Sequence, residues 1–125
     1  MSPLCLVVDD SRVIRRMASD ILKGLGLRTA EAEHGGKAVE FCRTTVPDMV
    51  LLDWNMPEMD GISCLRALRA MDLNPRPLVV MCTTENSVSK IREALEAGAD
   101  EYIMKPYDRE VLLDKLSQVG LVERA

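Results

Sequence analysis

Short apolar runs recur along the chain at nearly regular intervals: Leu4–Val8, Met49–Leu52, Leu78–Cys82 and Tyr102–Met104. They are rich in Val, Leu and Ile and do not alternate with polar residues. That is the pattern of strands buried on both faces of a parallel sheet. A weaker segment, Arg28–Ala32 after Gly26, predicts one further strand. Between these runs the period becomes helical. In Ser11–Lys23 the apolar residues Val13, Ile14, Met17, Ala18, Ile21 and Leu22 form one broad stripe, and Gly24 and Gly26 mark its end. Gly36–Thr44 groups Ala38, Val39 and Cys42 and stops before Pro47. Ile62–Met71 repeats Ile62, Leu65, Leu68 and Met71, with Arg66 and Arg69 expected to face outward. Asn86–Ala97, with Asn86 as the candidate N-cap, groups Val88, Ile91 and Leu95, and Asp108–Val119 carries Val111, Leu112 and Leu116. Strands alternating with helices throughout predict an α/β domain: five βα units, a parallel sheet and helices on both faces. Nothing in the pattern marks a linker or a repeat.

Composition narrows what such a domain does. The 125 residues fit one domain, and 47% hydrophobic content is enough for a core. No stretch nears the ~18 apolar residues of a membrane span, and the N-terminus has no secretory signal, so a cytoplasmic protein is expected. A formal charge of −4, from 16 basic and 20 acidic residues, argues against nucleic acid as a partner. The four cysteines, Cys5, Cys42, Cys64 and Cys82, lack metal or redox spacing and lie in apolar runs, so they read as reduced, buried thiols.

In open α/β sheets the ligand site lies beyond the carboxyl ends of the strands, so the residues that follow each run carry the chemistry. The first run ends in Asp9-Asp10, the third in Asp53, the fourth in Thr83 and the last in Lys105-Pro106. The fold therefore aims three carboxylates, a hydroxyl and an ammonium at one crevice. Two unit charges ~4 Å apart repel by about 4 kcal/mol at an effective dielectric near 20. Lys105 can neutralise only one carboxylate, and a hard divalent cation suits the remainder; Mg²⁺ fits best. A carboxylate beside Mg²⁺, with Lys and Thr opposite, is an arrangement for phosphoryl transfer.

Asp9-Asp10, Asp53, Thr83 and Lys105-Pro106, in this order, resemble the receiver domain of bacterial two-component response regulators. The run Asp53-Trp54-Asn55-Met56-Pro57-Glu58-Met59-Asp60-Gly61, Glu85 two residues after Thr83, and Tyr102 are similar to the stand-alone chemotaxis regulators. The resemblance implies a flavodoxin-like sheet of order 2-1-3-4-5 and a single receiver domain over 1–125 with no output domain. It implies Asp53 as phosphoacceptor, with Lys105 pairing the phosphoryl group and Thr83 swinging to bond it. Asp10, Asp53 and the backbone carbonyl of Asn55 would hold Mg²⁺, with Asp9 acting largely through water. Tyr102 would be the aromatic switch, and Asn55 and Glu85 would tune the phosphoaspartate lifetime. A histidine kinase of the chemotaxis type and a flagellar motor switch protein are the implied partners of a monomer that is not an enzyme beyond its own phosphotransfer and autodephosphorylation. Val88, Ile91, Tyr102 and the last helix would form the output surface. Thr84 departs from the pattern, which more often has Ala or Gly there, and its bulk would restrict access to Asp53.

Two other functions compete. A receiver-fold adaptor or phosphate sink in another phosphorelay would keep the same site. An aspartate-nucleophile phosphohydrolase would need a second Asp as general acid at the position of Asn55, which cannot transfer a proton. Plainer roles are expected elsewhere: Trp54 as a partly exposed neighbour of the metal, His34 as a solvated loop residue, and Arg12, Arg15 and Arg16 as a solvated helix face near the site. Lys105-Pro106 is expected to be cis, since only X-Pro bonds adopt that form at low cost.

Overall fold

The computed structural model describes residues 2–85 and 87–122. Five parallel strands form one sheet in the order β2-β1-β3-β4-β5. They are β1 (Leu4–Val8), β2 (Arg28–Ala32), β3 (Met49–Asp53), β4 (Leu78–Thr83) and β5 (Glu101–Met104). The helices are α1 (Arg12–Gly24), α2 (Gly35–Thr44), α3 (Gly61–Ala70), α4 (Val88–Glu96) and α5 (Arg109–Gln118). Order and class agree with the sequence expectation. No helix among the described residues is long and apolar enough to cross a membrane.

Side chains alternate across each strand, and both rows of the inner strands are apolar, so the sheet has a core on each face. Leu6, Val8, Val50, Leu52, Val79 and Met81 pack with Ala38 and Cys42 of α2, Ile62, Leu65 and Leu68 of α3, and Ala94 of α4. Cys5, Val7, Met49, Leu51, Val80, Cys82 and Ile103 pack with Ala18 and Leu22 of α1 and Leu112 and Leu116 of α5. All four cysteines are free and buried. Burial pushes the Cys42 thiol up to about 11 and that of Cys64 to about 12, which keeps both protonated.

Capping side chains set where the helices begin. Ser11, Asp60, Ser87 and Asp108 each accept a hydrogen bond from a backbone N–H three residues on. The candidate cap Asn86 lies outside the described residues; Ser87 caps α4. His34 is not a free loop residue: it caps α2, its Nδ1 accepting from the Lys37 N–H at 3.2 Å. The Lys105–Pro106 peptide is cis as expected, and so is Asn74–Pro75.

Two helix faces differ from the sequence reading. On α1 the buried residues are Ala18, Ser19 and Leu22, whereas Val13 is 69% exposed and Met17 55%. The apolar stripe is wider than the strip of helix the sheet covers, and the sheet meets its edge rather than its centre. On α3, Arg69 turns inward. Its guanidinium donates to the carbonyl oxygens of Pro77 at 2.7 Å and Gly98 at 2.8 Å, and to Asp100 at 3.0 Å. Asp100 also accepts from the Val79 N–H at 2.8 Å and from Arg76 at 3.0 Å. This clamp joins α3, the entries to β4 and β5, and the turn after α4. Gly98 belongs to it: its φ of +110 favours glycine, and a Cβ there would press on the Arg69 side chain at 3.1 Å.

The Arg69 side chain is 16% exposed and that of Arg76 54%. Arg69→Met should therefore cost about 2 kcal/mol, because buried carbonyls lose their donor. Arg76→Met should cost less than about 1 kcal/mol. Urea midpoints at unchanged m-value check this; equal losses for the two variants would contradict it.

Candidate phosphoryl-accepting site

At the carboxyl edge of the sheet, β1 runs into Asp9 and Asp10, β3 ends on Asp53, β4 ends on Thr83, and Lys105 follows β5. Asp9, Asp53 and Thr83 are each only 4% exposed, while Asp10 is exposed. Carboxylate oxygens of Asp9, Asp10 and Asp53 all lie within 4.8 Å of one another. The Lys105 ammonium sits between two of them, donating at 2.8 Å to Asp9 Oδ2 and at 2.8 Å to Asp53 Oδ1. Its backbone N–H donates to the Thr83 carbonyl at 2.8 Å, which extends the β4–β5 pairing to the site. The fold thus brings together all five residues of the constellation read from the sequence.

The electrostatics follow from burial and crowding. Burial raises the Asp53 carboxyl above its ordinary range, Lys105 pulls it back, and Asp9 and Asp10 push it up again; the net direction is upward. Burial acts to lower the Lys105 ammonium, but its bonds to Asp53 and Asp9 outweigh that and hold it above its usual value. One ammonium between three carboxylates leaves net negative charge in a partly buried pocket. Three hard oxygen donors with that excess fit a divalent cation such as Mg²⁺. Asn55, whose carbonyl was the fourth expected ligand, lies in the exposed loop after β3.

The Thr83 hydroxyl is turned toward the β4–α4 loop, accepting from the Glu85 N–H at 3.0 Å and lying 3.4 Å from the Glu85 carbonyl. Thr84 is exposed and borders a shallow apolar cleft of about 300 Å³, with Ile14, Met17, Ile21, Lys105 and Tyr107. Trp54 is buried, at 6% exposure, and not partly exposed as expected: its ring belongs to the α2–α3–α4 core, and the Lys90 ammonium lies 5.0 Å from it. Gly61 closes this end of the site. Its N–H donates to the Trp54 carbonyl at 2.8 Å, and a Cβ there would strike the Asp53 carbonyl oxygen and Trp54 Cα.

Tyr102 is half-buried against the same core, with the Lys115 ammonium 4.6 Å from its ring centre. Glu101 accepts from the Tyr102 N–H at 2.9 Å and from Lys115 at 3.4 Å. Arg15, like Arg69, is not the solvated side chain that the sequence predicts. Its side chain is 13% exposed, donating to the Asp9 carbonyl at 2.7 Å and to Glu31 at 3.2 Å. The signal was in its spacing, since Arg15, Ala18, Ser19 and Leu22 share one helix face.

The geometry agrees with what known proteins resemble this chain. A family model described as response regulator receiver domain matches residues 5–117. The chemotaxis protein CheY of Bacillus subtilis is 37% identical over 119 residues, covering 94% of this chain and 98% of that protein. CheY1 of Helicobacter pylori strain J99 is 40% identical over 116 residues, covering 91% of this chain and 94% of that one. Among solved structures, chemotaxis protein CheY4 of Vibrio cholerae superposes with a TM-score of 0.90 at 33% identity, covering 95% of this chain and 99% of that one.

The upward shift of Asp53 means its ionised form destabilises the metal-free fold. With the folded value above the unfolded one, stability is lost as pH rises through the carboxylate range. Asp53→Asn removes that loss. In EDTA the variant should melt a few degrees above wild type at pH 7, and the difference should shrink toward pH 4. Millimolar Mg²⁺ should raise the wild-type melting temperature and leave Asp53→Asn nearly unmoved. Calorimetry with and without Mg²⁺ reads both; a variant less stable than wild type in EDTA at pH 7 would contradict the sign.

Proposed function

The chain belongs to the response regulator receiver domain family, and from that premise we propose that it works as a phosphorylation-controlled binding switch of the chemotaxis type, with Asp53 as its phosphoacceptor. The observation that carries this reading is the Lys105 ammonium held at 2.8 Å from both Asp9 and Asp53 in a cluster of three carboxylates. In the step we assign, an Asp53 carboxylate oxygen attacks the phosphorus of a histidine kinase's phosphoimidazole. The P–N bond breaks as the P–O bond forms, and the imidazole leaves with the electron pair and takes up a proton.

Each neighbour then has a task set by its charge and position. Lys105 is already at Asp53 and donates to phosphoryl oxygens as their charge develops. Mg²⁺, held by Asp10, Asp53 and the Asn55 carbonyl with Asp9 acting through water, would supply the remaining neutralisation. Thr83 exchanges its contacts with Glu85 for a stronger, charge-assisted bond to the phosphoryl group. That exchange frees the β4–α4 loop. To Asn55 and Glu85, both exposed, we assign the tuning of the phosphoaspartate lifetime, and to Thr84 a narrowing of the approach.

The output face we assign comprises α4, β5 and α5. Val88 (70% exposed) and Leu95 (47%) lie on α4, with half-buried Ile91 between them and Tyr102 on β5. For Tyr102 to change rotamer it must leave or carry the Lys115 ammonium, a contact worth about 0.5–1 kcal/mol at a partly exposed site. The charge-assisted hydrogen bonds that a phosphoryl group on Asp53 gains exceed a contact of that size. The partners we infer are a chemotaxis-type histidine kinase and a flagellar motor switch protein, and the setting a cytoplasmic one. The chemistry we assign is acceptance and loss of one phosphoryl group by the chain itself.

A phosphorylated chemotaxis histidine kinase should label the wild-type chain in Mg²⁺ and leave Asp53→Asn unlabelled. Thr83→Ala should still accept label but lose most of the gain in affinity for a motor-switch peptide. Radiolabel transfer and fluorescence anisotropy measure the two; persistent labelling of Asp53→Asn would overturn the assignment.

A further inference from the structure

We infer that Arg15 is a positioning residue for the acidic site, acting through the backbone of Asp9 to set where the Asp10 carboxylate stands; this rests on the reading above that the carboxylates hold a divalent cation. Asp9 has all its polar groups engaged. Its N–H donates to the Ala32 carbonyl at 3.2 Å. Its carbonyl accepts from Arg15 Nη1 at 2.7 Å, Oδ1 accepts from the Ser11 N–H at 2.9 Å, and Oδ2 accepts from Lys105 at 2.8 Å. Asp10, by contrast, is exposed, so its placement rests on the backbone that carries it.

That backbone is where Arg15 acts. The Asp9 carbonyl and the nitrogen and Cα of Asp10 lie in one rigid peptide plane. Holding the carbonyl oxygen therefore fixes where the nitrogen and Cα of Asp10 stand, leaving rotation about φ and the side-chain torsions to aim its carboxylate. The guanidinium is suited to this because its fork has two spaced donors: Nη1 reaches Asp9 while Nε reaches Glu31 Oε1 on β2. A lysine carries the charge but cannot make both bonds in one plane. Glu31 balances the positive charge, so Arg15 does not compete with a cation for the carboxylates. At 13% exposure the side chain is committed to these two contacts and not to solvent.

Mg²⁺ titrations of the full chain, followed by Trp54 fluorescence and by calorimetry, test the role. Arg15→Met should weaken Mg²⁺ binding about tenfold, the scale at which supports of metal ligands act. Glu31→Gln removes the ion pair but keeps the carbonyl bond, and should change affinity less than about twofold at a comparable loss of melting temperature. Arg15→Lys should fall between them, and it replaces Arg15→Met if circular dichroism shows that variant unfolded. Equal weakening by Arg15→Met and Glu31→Gln, or wild-type affinity in Arg15→Met and Arg15→Lys, would overturn the role of Arg15 alone. A wild-type chain that does not bind Mg²⁺ would instead overturn the metal reading on which the role depends.

Discussion

One ammonium serving two buried carboxylates is the interaction on which the arrangement of this domain depends. Lys105 meets Asp53 across 52 residues of chain and Asp9 across 96. Those contacts require β1, β3, β4 and β5 to end at one level, which the parallel order 2-1-3-4-5 provides. Yet Lys105 satisfies only part of the charge it faces. Asp10 remains, and Asp53 is held above its ordinary range by burial and by its neighbours. The site therefore keeps a standing demand for positive charge, which suits a divalent cation.

The two ends of the sheet divide the work. At the carboxyl end, polar residues are crowded and Thr83 is held by Glu85 through bonds it can exchange. At the opposite end, Arg69 and Asp100 clamp α3, the entries to β4 and β5, and the turn at Gly98. Helix α4 runs between these ends, tied at its C-terminal turn to Arg69 and beginning just beyond the loop that Thr83 holds. Between them lie two apolar cores, whose burial offsets the cost of the charged edge.

Much of this was legible along the chain. The inner strands β1, β3 and β4 are apolar up to their last residues because both faces are covered, and that condition leaves a hydrophobic run without alternation. The site residues were legible because a parallel sheet places whatever follows each strand at one edge, so Asp9, Asp10, Asp53, Thr83 and Lys105 could be grouped from order alone. The errors share a different character. From the chain alone Arg69 and Arg15 read as solvated, because arginine usually is, and Trp54 reads as a neighbour of the site, because it follows Asp53. In each case a long side chain reached a partner that sequence distance concealed: Gly98 and Asp100 for Arg69, Glu31 for Arg15, and the helical core for Trp54.

The α1 stripe marks the boundary between the two kinds of information. Periodicity established that residues 11–23 form a helix with an apolar side, since a 3.6-residue repeat is a property of the segment by itself. Which strip of that side is buried depended on how the helix lies across the sheet, and the docked helix leaves Val13 and Met17 exposed while drawing Arg15 inward. The same division holds for the whole protein. The alternation of strands and helices and the chemistry delivered to one edge are written along the chain, because both follow from local pattern and residue order. Which polar side chains leave water to brace that edge is settled by packing in three dimensions, because a charged group is buried only when its partners come within hydrogen-bond reach.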